Sequence, residues 1–283
     1  MTTIDQFESV FKSAIKPLYR HKPDSISHAL IVTDLTQDAA SQFTNQVQQL
    51  LDPQQIVNWE VITGDQYSST MDLLNLLDGK AADLICCYRN LHSQAWQHPH
   101  SLGSHLDVLI QKTSAAILIL PHPEAEYADN HAYDHERRVL AMTDHMTDDN
   151  KLVSLAAEFA GSQGHLYLAH IEDETTFKRY MDAISKIETI DTANARTTIR
   201  HQLLKYPSEY ADSCRMALAD VFPSLSVDTI VAFGQRLSDY TKYIDELKIN
   251  LLVMHGKDDD QLAMHGLSYP LAIEIRQIPL LII

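Results

Sequence analysis

The chain is predicted to be an α/β protein built as two parallel-sheet domains in tandem, the first of them shortened. Three observations carry the prediction. Short apolar runs of strand length alternate with helix-period segments from end to end, the pattern of a parallel sheet covered by helices. One order of aspartate and glycine landmarks occurs twice. The 283 residues, 45% of them hydrophobic, also suffice to bury one large core or two of ordinary size.

An N-terminal helix over about Ile4–Lys16 precedes the first apolar run, His28–Thr33. Further runs follow at Ile56–Thr63, Ala82–Tyr88 and Ala115–Leu120, then at Val139–Thr143, His165–Ile171, Val227–Phe233, Asn250–Met254 and Pro279–Ile283. Between them, Phe43, Val47, Leu50 and Leu51 form one helical stripe. Leu152, Leu155, Ala156, Phe159 and Ala160 form a second, Phe177, Met181, Ile184 and Ile187 a third, and Leu237, Tyr240, Ile244 and Leu247 a fourth. Pro207 is expected to break the helical stretch from about Ala195 to Val221. Residues 121–136, with two prolines, several acids and no apolar period, read as the connection between domains at 1–120 and 137–283.

The repetition is visible in the landmarks. An aspartate follows the first strand of each half (Asp34, Asp144), and a glycine follows a later strand (Gly64, Gly234). Another glycine opens the last helix (Gly103, Gly266). The offsets between partners, 110, 170 and 163, place an extra strand-plus-helix block at about His165–Asp220 of the second half, and a loop longer by 7 at Arg89–Ser101 of the first. The strand after the first helix is expected to be the one the first half lacks.

Composition excludes several classes. The net charge is −16, with 7 basic against 17 acidic residues up to position 136 and 15 against 21 beyond it, so neither half offers a basic surface to nucleic acid. No apolar run approaches the roughly 20 residues of a membrane span, and the N-terminus lacks the apolar stretch of a secretory signal, so a cytoplasmic soluble protein is expected. Cys86, Cys87 and Cys214 read as reduced core thiols rather than a disulfide or zinc framework. The 8 glycines are about 3% of the chain, against a usual ~7%.

With its V-T-D34, V-I-T-G64, D83-L-I-C-C and G103-S104, and M-T-D144, V-A-F-G234, N250-L-L-V-M and G266-L in the second half, the chain resembles the universal stress protein family. That resemblance implies two Rossmann-like domains of the adenine nucleotide alpha hydrolase type, packed through their last strands as an intramolecular pseudo-dimer. It also implies a phosphate loop of the form G-x2-G-x9-G-[S/T] in members that bind nucleotide.

Such a loop needs glycines that let backbone N–H groups close around an anion, and a hydroxyl at the opening of the last helix. In the second half Gly256 and Gly266 keep the G-x9-G spacing, but Val253 stands in the first glycine position and Leu267 after Gly266. Ser268, one residue later, is a substitute hydroxyl or the N-cap of a helix beginning around Pro270. Asp258, Asp259 and Asp260 place three carboxylates where a triphosphate would approach. In the first half Gly103 and Ser104 survive, with Asn90 and Ser93 in the earlier glycine positions, and a plain helix cap at Ser104 is favoured over a phosphate site.

Fifteen histidines invite a metal reading, with His92, His98, His100 and His105 in one loop and His131 and His135 four apart, but solvated histidines are favoured. His255 and His265 read as loop residues, and Asp34 and Asp144 as ligand contacts or caps of the next helix. No nucleophile elbow, full Walker loop or triad is present. The expected function is therefore a non-catalytic stress-response or regulatory protein without a required cofactor or metal. The alternative is an ATP- or AMP-binding switch in the second half, with slow hydrolysis at most. A homodimer through the exposed edge of the shortened sheet is a third reading.

Overall fold

All nine apolar runs become strands: β1 (His28–Val32), β2 (Asn58–Ile62), β3 (Leu84–Tyr88), β4 (Ala116–Leu120), β5 (Arg138–Met142), β6 (His165–Asp173), β7 (Ser226–Gly234), β8 (Leu251–Met254) and β9 (Leu280–Ile282). The structure, a computed structural model, describes residues 19–23, 25–51, 54–98, 100–128, 131–134, 136–143, 150–256 and 266–283. The expected N-terminal helix, Asp144, His135, His265 and the three aspartates at 258–260 lie outside the described residues.

The strands form one nine-stranded sheet in the order β2-β1-β3-β4-β9-β8-β5-β6-β7. Every neighbouring pair is parallel except β4 and β9, which run antiparallel with Leu118 opposite Leu281. Central strands are buried along their whole length, as in β3 (LICCY) and β4 (AILIL), because helices cover both faces. The edge strands β2 and β7 are only partly covered.

Helices α1 (Gln37–Leu50), α2 (Thr70–Leu77), α3 (Ser104–Lys112), α4 (Asn150–Ala160), α5 (Glu174–Ile184), α6 (Thr192–Val221), α7 (Arg236–Glu246) and α8 (Ser268–Glu274) supply that cover. Most positions of the expected stripes face the sheet, with Phe43, Val47 and Leu50 buried on α1 and Tyr240 and Ile244 on α7, but Ile187 lies beyond the end of α5 and is exposed, as is Leu237. The three cysteines are buried and free.

Two expectations are corrected. First, Pro207 does not break its helix, and α6 runs for 30 residues through it. The proline costs one backbone bond, to the carbonyl of exposed Leu203, while Pro207, Tyr210, Ala211, Cys214 and Leu218 bury one face and carry the helix on past it. Second, β2 follows α1 and pairs directly with β1, the place β6 takes beside β5. A single right-handed helical crossover sets the next strand beside the last, so the missing element of the first half is its outermost strand, the counterpart of β7.

Two buried arginines reach across the molecule. Arg89, after β3, donates from Nη1 to the Ala272 and Ile273 carbonyls at 2.9 and 3.2 Å, and from Nη2 to the Ile275 carbonyl at 3.0 Å, at the C-terminal end of α8. Arg137, before β5, donates from Nη2 to the Leu50 carbonyl at 2.8 Å, at the C-terminal end of α1. Each places a cation where a helix presents unpaired carbonyls and the negative end of its dipole.

Candidate functional site

In an open parallel sheet the ligand crevice lies beyond the carboxyl ends of the strands where the strand order reverses. The first half has that point between β1 and β3, and it is filled by the protein's own side chains. Asp34, directly after β1, accepts at Oδ1 from the Tyr88 hydroxyl and at Oδ2 from the His92 backbone N–H at 2.7 Å. Tyr88, fully buried at the end of β3, also meets the Thr33 hydroxyl at 2.6 Å and accepts from the Asp34 backbone N–H at 3.2 Å. Burial and the Asp34 carboxylate raise the Tyr88 phenol well above its usual range. Asp34 therefore ties β1 to β3 and its loop rather than capping α1, whose first N–H bonds Asp65 Oδ2 at 3.0 Å.

The longer loop at 89–101 folds back over this crevice. A 3-10 turn at Gln94–Gln97 lays the Trp96 ring on His122, with centroids 4.2 Å apart and planes 11° apart, and Tyr88 meets the same imidazole edge-on at 4.8 Å. Beside them Tyr67 packs edge-on against His92 at 4.7 Å and His105 at 5.6 Å. His105 is buried, which corrects its reading as solvated, because α3 turns it inward, whereas His92, His98 and His100 are exposed. Burial lowers the imidazole pKa of both His105 and His122, and the nearby His92 lowers His105 further.

The surviving motif residues have structural partners. Asn90 takes φ +60°, which asparagine tolerates, and bonds the Leu102 carbonyl through its N–H at 2.7 Å and the Ser101 carbonyl through Nδ2 at 3.1 Å. Ser93 accepts from the Ala95 N–H at 3.1 Å. Gly103 is the N-cap of α3 at φ +91°, and a Cβ there would stand 2.7 Å from the Asn90 Cα, so both conformation and contact require glycine. Ser104 is the first helical residue rather than the cap.

In the second half, the Gly256 N–H donates to the Ile283 carbonyl at 3.1 Å, and a Cβ at Gly256 would lie 2.5 Å from Ile282 Cγ2. That glycine is fixed by the approach of β9. At Gly266, with φ +58°, an added Cβ would meet no atom of the described residues within 4 Å. Ser268 begins α8 and Leu267 holds the N-cap position without a side-chain bond, so Ser268 is not the cap the sequence suggested. The fourth position of that site, Asp144, is outside the described residues.

Sequence reasoning missed the strongest polar cluster of this half. His170, buried within β6 three residues before its carboxyl end, sets Nδ1 2.7 Å from the Thr143 carbonyl and Nε2 3.1 Å from Glu172 Oε1. Both partners are acceptors, so a protonated ring satisfies both contacts. The bond from His170, and then Arg236 4.0 Å away, hold the Glu172 carboxyl below the usual carboxylate range against the opposing effect of burial. Only the interruption of an apolar strand by His170 marked it in the sequence, and Tyr67, Tyr88, Trp96 and His122 carried no spacing signal at all.

Among the described residues, no group of three or more His, Cys, Asp or Glu is arranged to hold a metal ion. No helix among them is long and apolar enough to cross a membrane. No family model and no curated protein matches the sequence. Solved structures do match. A universal stress protein candidate from Pseudomonas aeruginosa UCBPP-PA14 is similar at a TM-score of 0.52 and 12% identity, over 92% of this chain and 93% of that one. A functionally unknown protein from Pseudomonas aeruginosa PAO1 gives 0.51 and 12%, over 92% of each chain. A universal stress protein from Archaeoglobus fulgidus DSM 4304 gives 0.50 and 13%, over 90% of this chain and 98% of that one. At such identities the likeness is one of fold.

Proposed function

We propose that this chain, which has the universal stress protein fold, acts without catalysis in stress response or regulation, its phosphate loops being degenerate. One observation carries the reading: groups a nucleotide would use are already bonded within the protein. The Asp34 carboxylate is taken by Tyr88 and His92, and the Gly256 N–H by the Ile283 carbonyl. The mouth of the first half is further occupied by the Trp96 and His122 stack. With its own side chains in place, the first half serves as a fixed partner for the second.

A second reading, an ATP- or AMP-binding switch in the second half, has support from Gly266, whose left-handed backbone fits an anion loop. Thermal unfolding with ATP and Mg²⁺ separates the two. Ligand at ~100 times its dissociation constant would add about 2.7 kcal/mol of stability, a rise of several degrees. We expect no saturable rise, and mass spectrometry of the denatured protein should release no nucleotide. A saturable rise, or stoichiometric released nucleotide, would establish the switch instead.

A further inference from the structure

The block that the second half has and the first lacks contains a helical hairpin with an unusual surface. On α5 only Phe177 and Met181 are buried, and on α6 no residue before Pro207 is, so the first 15 positions, about 22 Å of helix, lie off the core. Ten large apolar side chains are exposed among the described residues, and five belong to this hairpin: Tyr180, Ile187, Ile190, Leu203 and Tyr206, each 38–57% exposed. Ile199, Leu203 and Tyr206 fall at i, i+4 and i+7, one stripe of the helix. The hairpin is held in place at its base, where Arg200 pairs with Glu174 at 2.9 Å and lies over the Phe233 ring at 4.1 Å.

Its charge is opposite to that of the rest of the chain. Residues 174–206 hold six lysines and arginines against four acids, a net of +2, whereas the remainder holds sixteen against thirty-four, a net of −18. A locally basic, partly apolar face on a strongly acidic protein steers an acidic partner to one place.

We propose that the exposed stripe of this hairpin, with Leu203 and Tyr206 as its apolar anchors and Arg196, seven residues before Leu203 on the same stripe, as its charge, docks an acidic protein segment that presents aliphatic side chains. A second copy meeting it face to face is disfavoured, because a two-fold contact would set two locally basic faces against each other. An anionic membrane is disfavoured by Glu188 and Asp191, both exposed at the turn that would have to enter the headgroups.

The test uses the full chain and a labelled helical peptide of about 18 residues built from leucine and glutamate, with leucines at i, i+3, i+4 and i+7. Its lysine counterpart, phosphatidylglycerol vesicles and light scattering of the protein alone complete the set. The expected result is saturable binding of the acidic peptide, weakened about tenfold or more by Leu203→Asp and by Arg196→Glu. Raising salt from about 0.05 to 0.5 M should weaken it as well. Val57→Asp, at a distant exposed site, should leave it unchanged. Tyr206→Ser replaces Leu203→Asp if circular dichroism finds that variant unfolded. Absence of saturable binding, equal binding of the lysine peptide, indifference to the anchor variants, tighter binding to vesicles, or self-association abolished by Leu203→Asp would each overturn the proposal.

Discussion

His122 illustrates how much one side chain settles in this protein. Its imidazole is sandwiched between Trp96 and Tyr88, and its Nδ1 accepts from the Glu124 backbone N–H at 3.2 Å, an arrangement that requires the neutral ring. Burial lowers its pKa, so below about pH 6.5 the unfolded chain binds a proton that the folded chain resists. Stability therefore falls as pH drops from that value, and His105, lowered for the same reason, adds to the slope. Glu172 adds a second, more acidic fall, because its depressed carboxyl stabilises the fold above the unfolded value of ~4.5 and loses that contribution as pH falls through its folded pKa. Urea unfolding across about pH 2.5 to 7.5 should show both. His122→Phe keeps the ring contacts and should flatten the fall between about pH 6.5 and 5 while costing about 1 kcal/mol at neutral pH for the lost bond. An unchanged slope would show that His122 is not among the groups responsible. None of this was legible beforehand, because His122 lies in a stretch read only as a connection and its partners come from 26 and 34 residues away in the chain.

At the scale of elements, the two arginine caps stand out. Arg89 is fully buried, its pKa lowered to about 10 by that burial, and three carbonyls at the end of α8 depend on it. Arg89→Met keeps most of the volume but leaves those carbonyls without a donor, and should cost about 3 kcal/mol. Hydrogen exchange should find the amides of α8 faster in that variant while those of α1 keep their protection; equal acceleration of both would point to a global effect. Elements themselves were the most legible part of the sequence. Every apolar run became a strand, because a run such as AILIL has no other way to bury itself on both sides. Helix ends and strand order were less so. Pro207 was outweighed by four buried residues farther along α6, and the position of β2 depended on crossover geometry that the Gly64 and Gly234 landmarks do not encode. The candidate site was half legible: Asp34 and Gly103 were rightly placed at the carboxyl end of the sheet, but their partners were not visible in the spacing.

For the whole molecule, the antiparallel pairing of β4 with β9 joins four strands to five in one sheet, and the core is continuous across it. Calorimetry should therefore record one transition rather than two, with equal calorimetric and van't Hoff enthalpies. Leu281→Pro, in the strand that touches both β4 and β8, should cost about 3 kcal/mol or more and broaden or split that transition. Two separate transitions in the unaltered protein would mean that the halves unfold independently.

The same seam sets a schedule for biosynthesis. The ribosome completes β4 about 160 residues before β9, a delay of roughly 8 to 30 s at ordinary translation rates. Throughout that interval the nascent chain carries an all-apolar strand with one open side, the kind of edge on which growing chains aggregate. That side of β4 therefore stays without its own partner strand until β9 is made.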